Sequence, residues 1–131
     1  MDFLRRYLYI LIIGMLFILL VPLSLLSNGY FGGADNISHY FISHYAFRYP
    51  ELFLDSWGRP LYTIVSAPFA RFGFQGAKLL NVLLGISTAY FAYRIAQILN
   101  IRPSVAALIF VCFTPLYFIM MPTVLTEILF S

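Results

Sequence analysis

The run "YLYILIIGMLFILLVPLSLL", Tyr7 to Leu26, contains no charged residue. As a helix, a run of this length rises roughly 30 Å, the thickness of a bilayer's hydrocarbon core. Composition carries the same constraint through the rest of the chain. Apolar residues make up 62% of it and charged residues 10%, against about 25% charged in a soluble domain. The expected fold class is therefore an all-α membrane protein. The 131 residues suffice for three or four spans of about 20 residues each, but not for a separate soluble domain as well.

The first run exceeds a signal peptide's core and further apolar segments follow, so it reads as an anchor. Arg5 and Arg6 precede it and place the N-terminus in the cytoplasm. A long loop, residues 27–74, opens on the turn-rich "SNGYFGG". Beyond it, Ile37, Tyr40, Phe41, Tyr45 and Phe47 share one side of a helix from which Asn36, Ser38 and Ser43 are excluded. Such a helix lies along a membrane interface, with Asp35 placed to cap it and Pro50 to end it. Pro60 opens a short helix to about Phe72, interrupted by Pro68 and closed by Gly73; it is too short to span and reads as re-entrant or interfacial.

Residues 75–99 predict a second span, in which Gly76, Ala77, Gly85, Ala89 and Ala92 allow close helix contact. Residues 104–121 predict a third, and Pro122 opens a fourth helix, "PTVLTEILFS". That ending is still apolar, so the chain is expected to be the N-terminal part of a longer protein. Three crossings put Arg5, Arg6, Arg94 and Arg102 on one side. They bring the Asp35 loop and the segment from Met121 to Glu127 together on the other, extracytoplasmic side.

The basic residues are scattered, which excludes a nucleic-acid surface. Cys112 is the single cysteine, so no internal disulfide can form. Asp35 can serve as general base, metal ligand or helix cap, the cap being the plainer reading. Glu127 either faces a cavity or a partner within the membrane or sits just above the bilayer at a helix start. His39 follows Asp35 by four residues, so one helical turn brings them together. Two histidines and a carboxylate suggest zinc, but His39 and His44 match no zinc spacing. "NIS" at Asn36 overlaps the helix start and reads as a chance sequon. Arg59 and Lys78 fall on the side where cations are disfavoured and are candidate anion binders; for Lys78 and Arg71 the alternative is snorkelling to headgroups. Tyr40 and Trp57 are candidates for substrate contact and fit an interfacial aromatic belt equally well.

The stretch "SWGRPLYTIVSAPFARFGFQGAKLLNVLLGISTAYFAYRIA" resembles the early part of polytopic membrane glycosyltransferases of the C-type superfamily, which includes protein O-mannosyltransferases and aminoarabinose transferases. The layout is similar from about Gly32 onward: a loop with an acid, interfacial helices, short-looped spans, then "TE" at Thr126 and Glu127. Relatives often carry paired acids in the first loop, whereas "GADNISHY" supplies one acid followed by Asn36. The resemblance therefore carries over Asp35 alone as base and gives no support to a metal held by this loop; no cofactor is required, and a divalent metal stays open.

The resemblance implies transfer of a sugar from a polyprenyl-phosphate donor to a lipid, glycan or protein acceptor outside the cytoplasm of a bacterial inner membrane. Asp35 would be the base, Arg59 and then Lys78 would stabilise the departing phosphate, His39 would orient Asp35, and Glu127 would bind acceptor or sugar. The competing class is a non-enzymatic membrane protein, a transporter or scaffold subunit, whose polar groups would line a path near the bilayer midplane. Here they cluster at one interface instead.

Overall fold

The computed structural model describes residues 2–27 and 33–130 and is all-helical over them. Its six α-helices are α1 (Asp2–Leu26), α2 (Ala34–Tyr45), α3 (Pro60–Ala70), α4 (Phe74–Ile98), α5 (Val105–Phe113) and α6 (Pro115–Met120), with short 3-10 turns at Pro50–Leu54 and Thr126–Leu129. Most of the "SNGYFGG" stretch lies outside the described residues.

Two helices are long and apolar enough to cross a membrane, at Tyr7–Leu26 in α1 and Phe74–Ile98 in α4. They run antiparallel. Ser27, after α1, meets Lys78 at the start of α4, while Tyr9 stacks on Tyr93 near the other end. Leu16 and Leu20 of α1 pack with Val82, Ile86 and Ala89 of α4 and Leu108 and Cys112 of α5 in one apolar core. Tyr9, Ile12, Ile13 and Val21 pack against this core, while another face of α1 points outward: Ile18 is 76% exposed, and Leu11, Phe17, Leu19 and Leu23 are exposed with it. A soluble protein's core helix would bury such residues.

The predicted third span is not one helix. Pro115 lacks an N–H and drives its predecessor out of the α region; Thr114 is accordingly extended, at φ −63 and ψ 116. The nine residues of α5 rise about 14 Å, well short of the ~30 Å a crossing needs. The fourth helix at Pro122 is also replaced, by an extended stretch and the Thr126–Leu129 turn. The backbone N–H of Val124 is taken by Asn36 Oδ1 at 2.6 Å, so it makes no helical bond there. Conversely, Pro68 lies in the last turn of α3 and does not interrupt it.

Helix ends follow local chemistry. Asn100, at φ 57, takes the left-handed position that ends α4, and Ile101 N closes back on Ala96 O at 2.9 Å. A second unit forms where α2 and the Pro50–Leu54 turn pack on α3, and α3 packs on α4. Its junction is tight: a Cβ on Gly76 would collide with the Phe69 backbone oxygen. This unit reverses the usual amphipathic order. α2 buries Asn36, His39 and Ser43 and leaves Phe41, Tyr45 and, just beyond its end, Phe47 exposed.

Candidate functional site

The buried polar stripe of α2 recurs every three to four residues, so it forms one helical face. Each member except His39 finds a partner inside the unit. Ser43 Oγ and Ser66 Oγ lie 2.5 Å apart. Asn36 holds Val124, as above. From α3, Tyr62 donates to Asn81 Oδ1 at 3.2 Å, and Asn81 Nδ2 donates to the Leu125 carbonyl at 2.8 Å. These bonds clamp residues 124–125 between α2 and α4, and so fix where Glu127 stands two residues later.

The second wall is the connection into α3. Asp55 Oδ1 accepts the Gly58 N–H at 2.8 Å, and Thr63 Oγ1 donates to the Gly58 carbonyl at 3.0 Å. A side chain on Gly58 would run into Ile42 and Thr63, so α2 approaches this loop closely. Arg59 follows with φ 55, the left-handed region that an arginine rarely adopts. That backbone is held by Thr63 N donating to the Arg59 carbonyl at 3.0 Å. The Arg59 guanidinium donates to Glu127 Oε1 at 3.1 Å and lies over the Phe130 ring. Both partners are about half exposed, at 44% and 49%, so the pair is weak and exchangeable. A phosphate can replace the carboxylate in the guanidinium fork.

His39 occupies the middle. It is 6% exposed, parallel to Trp57 with ring centroids 6.3 Å apart and edge-on to Tyr62 at 6.1 Å. Its Nδ1 is buried with no hydrogen-bond partner among the described residues. Burial holds the imidazole below its ordinary pKa; Glu127, Asp35 and Asp55 pull it upward in that order, and Arg59 adds to the lowering. His39 is therefore the neutral ring at neutral pH, able both to donate and to accept.

Of the residues singled out in the sequence, Asp35, His39, Trp57, Arg59 and Glu127 gather here through these contacts and fields. Asp35 is not the cap of α2. Gly33 holds that position with no side-chain bond, because its φ of 65 suits a residue without a Cβ. Asp35 is instead exposed in the first turn, where the helix dipole favours a carboxylate. It acts on His39 through its field, and no hydrogen bond joins the two among the described residues.

Lys78 and Tyr40 lie on another flank. Lys78 Nζ donates to the Ser27 carbonyl at 2.8 Å and stands over Phe74, against which Tyr40 packs edge-on. At 1% exposure Lys78 does not snorkel; it serves the C-terminal end of α1, where a cation is favourable. Arg71 lies over Phe47. Asn36, Asp55, Tyr62 and Asn81 were not anticipated as parts of the site. A signal existed for Asn81, a polar side chain inside an apolar span.

No three His, Cys, Asp or Glu side chains among the described residues come together as a metal site. In comparison with known proteins, the chain matches no family model, no curated protein and no solved structure.

Proposed function

We propose that the chain belongs to a glycosyltransferase of the bacterial plasma membrane, with its N-terminus in the cytoplasm. It moves a sugar from a polyprenyl-phosphate carrier to an acceptor outside the cytoplasm. One observation carries this reading: the exposed Asp35 carboxylate and an exchangeable Arg59–Glu127 pair lie around the neutral imidazole of His39, beside an outward aromatic face on α2. A donor of this class lies in the bilayer with its phosphate at headgroup depth, so its site must combine lipid contact with charge.

In the displacement, the acceptor hydroxyl loses its proton to the Asp35 carboxylate as its oxygen bonds to the anomeric carbon. The bond from that carbon to the phosphate oxygen breaks on the opposite face, inverting the centre. The leaving polyprenyl phosphate takes the electron pair and is neutralised by Arg59. Glu127, released from Arg59, accepts hydrogen bonds from the sugar or acceptor. Trp57, exposed and parallel to the buried His39 ring, offers a flat apolar surface for a sugar ring. Lys78, engaged with Ser27, leaves Arg59 as the cation for the phosphate.

The test is sugar transfer by the protein expressed from its full-length gene, assayed with a lipid-phosphate donor. Asp35→Asn is expected to lower turnover by about 10²–10⁴-fold, the usual contribution of a general base. Turnover close to wild type would reject Asp35 in that role.

A further inference from the structure

The opposite end of the helical bundle carries a cavity that the proposed reaction does not use. It lies between the start of α1, the end of α4 and the turn into α5, with a volume of about 630 Å³, within the roughly 300–1,000 Å³ range of small-molecule sites. Leu8, Pro103 and Val105 give it apolar walls, and Tyr93, Gln97, Arg102 and Ser104 give it polar ones.

Arg102 is unlike the five other cations whose side chains the structure describes. Arg48, Arg59, Arg71, Lys78 and Arg94 each lie over an aromatic ring. Arg102 has no ring, acid or hydrogen-bond partner among the described residues, and it lines the cavity. The surrounding wall is held in place. Gln97 Nε2 donates to the Tyr93 hydroxyl at 2.7 Å, and Tyr93 stacks on Tyr9 with centroids 4.7 Å apart. Ser104 donates to the Ile101 carbonyl at 2.9 Å, bracing the turn that carries Arg102.

We propose that this cavity binds a phosphate-bearing amphiphile, whose anionic group takes Arg102 and whose apolar part lies along Leu8, Pro103 and Val105. A guanidinium matches phosphate oxygens with two parallel hydrogen bonds. Basic pockets between membrane helices on the cytoplasmic side bind headgroups in this way. The apolar walls favour a lipid over a free phosphate. Leu8 and Leu11, exposed near this end of α1, continue the apolar surface out of the cavity.

Thermal unfolding of the full-length protein in detergent tests this, with phosphatidylglycerol, phosphatidylcholine or inorganic phosphate added in turn. Phosphatidylglycerol is expected to raise the midpoint in a saturable way, and Arg102→Gln to weaken the apparent affinity by about tenfold or more. Arg94→Gln removes a charge at the same end but outside the cavity lining and should keep the wild-type response. Val105→Trp fills the cavity with every charge in place and should abolish the response. A shift with inorganic phosphate equal to that with phosphatidylglycerol would overturn the amphiphile in favour of free phosphate. No saturable shift, or equal losses in Arg94→Gln and Arg102→Gln, would overturn the site altogether.

Discussion

The two ends of the molecule handle charge in opposite ways. At the α2–α3 end, Arg48, Arg59, Arg71 and Lys78 are balanced by Asp35, Glu51, Asp55 and Glu127. At the other end, Arg5, Arg6, Arg94 and Arg102 are offset only by Asp2, so the whole formal charge of +3 resides there. The packing differs in parallel. Away from its junction with the α2–α3 unit, where Ser24, Lys78 and Asn81 are buried, the bundle of α1, α4 and α5 has an apolar core and exposes large apolar side chains, whereas the α2–α3 unit buries hydrogen-bonded polar groups and turns aromatic rings outward. A bundle that only has to sit in lipid needs no polar interior. A balanced, networked end is what a site for a charged substrate requires, since unpaired buried charge is costly. An unbalanced basic end is what the positive-inside rule predicts for a cytoplasmic face.

The largest expected effect tests the outward apolar belt. Ile18→Arg, in the middle of α1, should cost about 3 kcal/mol of membrane insertion and reduce the membrane-inserted fraction in a glycosylation-reporter assay. A water-facing surface would accept the change with little loss.

Asn81→Leu attacks the polar end. It leaves the Leu125 carbonyl and the Tyr62 hydroxyl without partners, at a cost of about 2 kcal/mol. Thermal unfolding in detergent should read this as a lowered midpoint, with the tether of the Glu127 segment weakened. Ser87→Leu, an exposed position on the same helix, serves as the control and should change little.

Gly76→Ala should cost about 1–2 kcal/mol through overpacking, because the obstacle is the Phe69 backbone rather than a movable side chain. Gly85→Ala meets only the flexible Met121 side chain and should cost less. The smallest effect is that of pH. His39 is held below its ordinary pKa, so the unfolded chain binds the proton more readily. Its contribution to stability is complete above the ordinary imidazole pKa and is lost as pH falls below it. The midpoint should therefore fall on acidification, and His39→Gln should flatten that dependence.

Much of this contrast can be read from the chain. The uncharged run in α1 and the longer apolar stretch of α4 announce themselves by length. The aromatic side of α2 is legible from its spacing, but the buried polar face is only partly so: Asn36 and Ser43 belong to it, while His39 and not Ser38 lies between them. The break at Thr114 was legible too, since Pro115 interrupts an otherwise uniform apolar run, yet composition alone argued for continuity. Other features depend on tertiary contacts. The loss of a helix at Pro122 follows from Asn36, far away in sequence, capturing the Val124 N–H. The capping of α1 by Lys78 follows from the antiparallel packing of α1 and α4, which no local pattern encodes. Asp35 and Glu127 were linked only by counting crossings, whereas the structure ties their segments through Asn36, next to Asp35, and Val124, three residues before Glu127.

The central claim is that the carboxylates near His39 and the arginine-rich end lie on opposite sides of one membrane. Cysteine labelling with a membrane-impermeant maleimide tests it directly, in a Cys112→Ser background. The account predicts that Asp35→Cys and Glu127→Cys react in intact spheroplasts, whereas Arg102→Cys reacts only after permeabilisation. Labelling of positions 35 and 127 from opposite faces would contradict it.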